Sequence, residues 1–329
     1  MKIPLILSPL DSEDEVAELA KLGAKEFYCG IIPEEWEIKY SPSSIDRRPK
    51  GKAHFPTWES LQKAVATAHD NGAKINLTIN EHYYSLEQYP IIENFIENSL
   101  TAKVDALIIS DPALLLFIAE KNFPVETHLS TGGVCLNINT ALFFKDLGVK
   151  RIILPRHLNI DEIKKITSAS TGIEFETFIF NSRCVNVDGL CTFQHGLSGK
   201  KVEYFYKNAC MLPFNVQAFT KREVEPDKKQ NAIKKQRIWE RVHIDDLPCG
   251  ACSIYDFSEI GIKALKIVGR GNESERKKND VKFLSTLLSM LSNETDKKTF
   301  RIEAKKLYNK TYDRECRYHM CYYPEVMES

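Results

Sequence analysis

The sequence predicts an α/β fold, a (β/α)8 barrel of the TIM type, from three observations. Eight β-rich runs recur along the chain, each followed by an amphipathic stretch or a long loop. Several runs are continuously apolar and β-branched, as strands covered on both faces of a parallel sheet must be. Glycines stand where helices would stop, at Gly23, Gly72 and Gly148. Closing eight such units on themselves is the simplest architecture; an open doubly wound sheet is the alternative.

The runs follow in order. "IPLILSP" precedes Ser12-x-x-Glu15, a capping-box pattern that opens "EDEVAELAKLG". "EFYCGI" leads, after a loop, to "PTWESLQKAVATAHDNG", and "KINLTIN" leads to "SLEQYPIIENFIENSLTAK". "DALIISD" runs into Asp111-Pro112, an N-cap with proline in the first turn, then "ALLLFIAEKN". "VETHLSTG" precedes "NINTALFFKDLG", and "RIILPR" precedes Asn159-x-x-Glu162 and "IDEIKKITSAS". "IEFETFIFN" is the seventh run; "ALKIVGR", followed by "SERKKNDVKFLSTLLSML", is the eighth. The expected organisation is a barrel over 1–295 with a cysteine-bearing insert at 182–255, and a C-terminal tail at 296–329.

Composition narrows the function classes. The chain has 329 residues, 43% of them hydrophobic, enough for a sizeable core without staples. Its 45 basic and 45 acidic residues cancel, so net charge gives no pointer to nucleic acid or an anionic membrane. No secretory signal pattern is visible and no apolar run reaches ~18 residues, so the expectation is a cytoplasmic protein with no membrane span. In that compartment disulfides are rare, and the nine cysteines read as thiols or metal ligands.

Five of those cysteines fall in the long connection after the seventh run: Cys184, Cys191, Cys210, Cys249 and Cys252. In a barrel such a connection lies at the C-terminal face, where active sites are built. The spacing C-x6-C-x18-C-x38-C suits an iron–sulfur cluster held by a long wrapped loop. Only Cys249-x2-Cys252 has the close pairing typical of zinc, and inert buried thiols remain the bland alternative. Cys316 and Cys321 in "CRYHMC" suit either a second metal or a docking tail with aromatic anchors. The charged stretch "KREVEPDKKQNAIKKQR" reads as a solvated face.

"RIILPRHL", "FIFNSRCVNVDGLC", "NAC" and "GIKALKIVGR" together resemble the collagenase-like peptidase family U-32. The resemblance spans about residues 3–290, and its members include proteins of oxygen-independent ubiquinone hydroxylation and of RNA hydroxylation. It implies a [4Fe–4S] cluster, with zinc as the alternative, on Cys184, Cys191, Cys210 and Cys249, with Cys252 a close competitor for the fourth place. It also implies oxygen-independent hydroxylation of a ring substrate or an RNA base. Two further implications are a small carboxylate donor such as prephenate and a possible heterodimer with a related family member. A peptidase, or a non-catalytic cluster-bearing partner, is the alternative. The sequence departs from the family pattern where "SPLD" replaces Ala-Pro-Ala-Gly. Gly132 replaces a glutamine, His157 an acid and Val268 a glutamate.

Other candidates stand at strand ends. His128 suits acid–base chemistry or hydrogen bonding to substrate, and equally a satisfied core position. Arg156 or Arg270 could clamp a carboxylate. Asn80, Ser130 and Asn181 are candidate substrate contacts. No G-x-S-x-G elbow and no H-E-x-x-H motif is present; a Cys–His pair remains open.

Overall fold

The computed structural model describes residues 1–40, 45–48, 50–169, 172–181, 184, 187–191, 225–231, 233–234, 248–292 and 295–327. Eight parallel strands among them close into one barrel in chain order. They are β1 (Leu5–Pro9), β2 (Ala24–Cys29), β3 (Lys74–Ile79), β4 (Ala106–Ile109), β5 (Glu126–Leu129), β6 (Arg151–Ile153), β7 (Glu174–Phe180) and β8 (Ala264–Ile267). Leu5 pairs with Ala264 while Pro9 pairs with Tyr28, so β1 joins both ends of the sheet. The (β/α)8 expectation therefore holds, and the open sheet is excluded.

Helices α1 (Val16–Leu22), α2 (Glu34–Tyr40), α3 (Trp58–Asp70), α4 (Tyr89–Thr101), α5 (Pro112–Glu120), α6 (Ile138–Asp146) and α7 (Ile160–Ala169) alternate with the first seven strands. α8 (Ile254–Ile260) precedes β8, and α9 (Ser274–Ser292) and α10 (Lys297–Tyr312) follow it. The start signals act locally as the sequence indicates. Asp111 Oδ1 accepts the Ala113 N–H at 2.9 Å, and Asn159 and Glu162 cap one another at 2.9 Å in each direction. Gly72 and Gly148 take φ of +65° and +87°, a backbone that only glycine adopts without cost. Among the described residues, no helix is long and apolar enough to cross a membrane.

The barrel interior is not uniformly apolar. Glu26 on β2, Arg151 on β6, Glu176 on β7 and Lys266 on β8 are all buried. Arg151 Nη2 reaches Glu26 Oε1 at 2.9 Å from four strands away, so both side chains point inward. The same guanidinium holds Glu174 at 2.7 Å and lies 3.6 Å from Glu176, which takes Lys266 Nζ at 2.8 Å. Burial alone would raise the Glu26 carboxyl, but the Arg151 guanidinium outweighs it and holds it below the usual value.

The segment expected as a tail is built into the barrel wall. Cys249 N–H donates to Met320 O at 3.0 Å, and Tyr322 N–H donates to Cys249 O at 3.0 Å. Tyr323 is buried against Phe257, with ring centroids 4.9 Å apart. On α9, buried Lys277 pairs with Asp11 at 2.5 Å and Glu15 at 2.8 Å, which ties the eighth unit back to the first.

Removing one partner of a buried ion network leaves uncompensated charge, at about 3–5 kcal/mol. An Arg151→Met protein should therefore lose about that much stability in urea titration. A loss below about 1 kcal/mol would show that the carboxylates find other partners or protons.

Candidate functional site

The C-terminal ends of the strands form the barrel mouth, and a carboxylate from an unexpected place organises it. Asp46 lies in the connection between β2 and α3, and its side chain has no solvent exposure. It forms a close ion pair with Arg270, two residues beyond "KIV" after β8. Asp46 Oδ1 also accepts from His54 Nε2 at 3.0 Å, and Oδ2 from Thr78 Oγ1 at 3.0 Å. Arg270 adds bonds to Thr78 Oγ1 at 2.7 Å and to the Asp46 carbonyl at 3.2 Å. Burial would raise the Asp46 carboxyl, but Arg270 and His54 reverse that and hold it well below the usual carboxylate range. Gly30, just after β2, is required here: a Cβ would lie 2.2 Å from both Arg270 Nη1 and Asp46 Oδ2. Arg270, read from sequence as a carboxylate clamp, already holds a carboxylate of its own chain.

Arg156 is likewise engaged. Its Nη1 donates to Asp188 Oδ1 at 2.6 Å, and its backbone N–H to Asp188 Oδ2 at 2.8 Å. The guanidinium stacks on Phe178, 3.7 Å from the ring centroid. Asp188 lies between Cys184 and Cys191, so this bidentate pair anchors the cysteine loop to the end of β6. Gly189 lets the loop sit against the connection after β5, where a Cβ would lie 2.2 Å from Val134 and 2.8 Å from Thr131 O.

Asn80 and Ser130 do come together: Asn80 Nδ2 donates to Ser130 Oγ at 3.0 Å, and Ser110 Oγ donates to Asn80 O at 3.0 Å. Asn80 Oδ1 is buried and has no hydrogen-bond partner among the described residues. His128 instead turns down the barrel, with Nε2 2.8 Å from Glu126 Oε1. Asn181 has φ +63° and is saturated. Its Nδ2 donates to Asp280 at 2.8 Å and to Val268 O at 3.1 Å, and its Oδ1 accepts from Arg276 at 2.9 Å.

The thiols divide between places. None of the eight described cysteines is disulfide-bonded; Cys210 lies outside the described residues. Cys184 and Cys191 are on the loop held by Arg156. The backbone of Cys249 pairs in isolated β-bridges with Phe180 at the end of β7 and with Cys321. Its Sγ accepts the Ala251 N–H at 3.3 Å. Burial pushes the Cys249 thiol well up against that bond, and the nearby thiols of Cys252, Cys321 and Cys316 push the same way. Among the described residues, no group of three or more His, Cys, Asp or Glu is placed to hold a metal ion.

Asp46, His54 and Asp188 were missed by the sequence reading. Only the ion pairs made by folding identify them, although Asp188 falls visibly between two spaced cysteines.

The sequence pattern of peptidase family U32 matches residues 13–328. The chain belongs to this family. A tRNA hydroxylation protein P of Haemophilus influenzae is 31% identical to this U32 chain over 57% of it and 38% of the relative. A 23S rRNA 5-hydroxycytidine C2501 synthase of Escherichia coli is 29% identical over 67% of the chain and 31% of the relative. The chain thus spans about a third of the length of these relatives. A solved structure described as the U32 peptidase Mk0906 is 14% identical, with a TM-score of 0.46 over 82% of this chain and 94% of that one.

Two outcomes follow from the Asp46 cluster. Asp46→Ala should cost about 3–5 kcal/mol, because Arg270 is left buried without its counter-charge. A folded-state pKa held below the unfolded value contributes stability that is complete above about pH 4 and is lost as pH falls through the folded value. Acid titration of Asp46→Asn should therefore show a shallower loss of stability below about pH 4 than wild type; parallel curves would contradict the pairing.

Proposed function

We propose that this U32 protein hydroxylates an RNA base without molecular oxygen. In this reading an iron–sulfur cluster is held by Cys184, Cys191, Cys210 and Cys249, and a small carboxylate donates the hydroxyl. The relatives named for tRNA and rRNA hydroxylation support the reaction class, each matched over more than half of this chain. The observation that carries it to the site is the Arg156–Asp188 pair, which fixes the Cys184–Cys191 loop at the barrel mouth.

The donor set fits a cluster by its chemistry. Thiolates are the ligands such clusters take, and Arg156 lies close enough to Cys184 for its charge to favour the thiolate. The Ala251 N–H does the same for Cys249. When bound, the cluster would supply single electrons beside the mouth. The chain's own residues would do the rest: Asp188 and Arg156 hold the loop, and the buried Asp46–Arg270 pair closes one side of the mouth against water. Asn80 and Ser130 offer hydrogen bonds to a ring substrate.

For the peptidase alternative, Cys29 and Cys135, two of the three buried thiols outside the insert among the described residues, are poor nucleophiles. Burial pushes Cys29 above the range of a reactive thiol and Cys135 up to about 11.

Mass spectrometry of nucleosides from cellular tRNA and rRNA tests the reaction. Cells lacking the gene should lose a hydroxylated nucleoside that returns with the wild-type gene and not with Cys184→Ala. An unchanged nucleoside profile would refute RNA hydroxylation. Asp188→Ala should lower iron per chain by more than half in anaerobically purified protein while leaving the barrel folded; undiminished iron would show that the loop needs no anchor.

A further inference from the structure

We infer that Arg47 is the anion-binding residue of the barrel mouth and that it takes the carboxylate of the small donor. This rests on the reading above, which calls for such a donor. Arg156 and Arg270, the two arginines that sequence pattern offers for it, are each neutralised by an aspartate of the same chain. Among the described residues Arg47 has no such partner: it makes no hydrogen bond or ion pair with them, and its buried Nε finds no acceptor there.

Its position is set by its neighbour. Asp46 is locked into the mouth by Arg270, Thr78 and His54, so the next residue is delivered over the opening. Arg47 adopts φ +63°, a left-handed backbone that costs an arginine energy and that persists only where the surroundings impose it. From there the guanidinium crosses the mouth to the ends of β4 and β5. A Cβ placed on Gly132 would lie 3.1 Å from Arg47 Nη1 and 2.3 Å from Ser110 Oγ. The absence of a side chain at Gly132 leaves the space that Arg47 enters. Two polar groups beside it suit a hydroxylated carboxylate ligand: the Ser130 hydroxyl, which accepts from Asn80 and keeps its own proton to donate, and the orphaned Asn80 Oδ1, which can accept from a ligand hydroxyl. A guanidinium with no partner among the described residues can take a carboxylate in two-point fashion through its own fork of N–H groups.

The test uses the full chain and calorimetric titration with malonate, citrate and inorganic phosphate, and separately with a tRNA mixture. The variants are Arg47→Gly, which suits the left-handed backbone, and Arg47→Lys. A charge-assisted contact predicts that Arg47→Gly weakens carboxylate binding roughly 10- to 100-fold. Its thermal midpoint should be no lower than wild type, Arg47→Lys should fall between, and tRNA affinity should stay unchanged. Equal carboxylate affinity in Arg47→Gly overturns the inference, as does wild-type protein that binds none of these carboxylates. A fall in tRNA affinity alone would overturn it in favour of an RNA phosphate contact. Failure of the RNA-hydroxylation reading registers elsewhere, as an unchanged nucleoside profile with Arg47-dependent carboxylate binding intact.

Discussion

The mouth of this barrel depends on one carboxylate that water never reaches. Asp46 enters from the connection after β2 and meets Arg270 from the end of β8. These are neighbours only because the barrel closes, with β1 between their strands. Burying either charge alone would cost several kcal/mol. Together, with Thr78 and His54 filling the remaining bonds, they become a fixed strut. The strut covers one side of the mouth, turns Arg47 across the opening, and removes Arg270 from the groups available to a ligand.

A second strut serves the cysteines. Arg156 and Asp188 bind through two hydrogen bonds, and the guanidinium is held further by stacking on Phe178. A short loop carrying two thiols would otherwise keep much of its conformational freedom, which any bound group would have to remove. The lower part of the barrel repeats this logic: Arg151 spans the interior to Glu26, and Lys266 neutralises Glu176. The fold uses its arginines as internal fasteners.

Much of this architecture was legible in the sequence. Strand-like runs, capping pairs such as Asn159 with Glu162, and glycine stops named the eight units, because these signals act within a few residues of one another. The thiol-bearing connection was visible from its length and spacing. What sequence could not supply was partnership. Arg156 and Arg270 read as ligand clamps because an arginine at a strand end has that chemistry; their aspartates lie 32 and 224 residues away in the chain. His128 read as a mouth residue because it stands near the end of β5, yet its ring turns to Glu126. The inward-facing Glu26, Arg151, Glu176 and Lys266 were hidden inside runs that otherwise look apolar.

The most direct test of the account is the iron and acid-labile sulfide content of the anaerobically purified chain. A cluster on these cysteines gives a brown protein absorbing at ~400 nm, with about four iron and four sulfide per chain, and both are lost in Cys184→Ala. A colourless protein that holds zinc, or no metal, at unchanged stability would contradict it and would return the cysteine loop to a structural role.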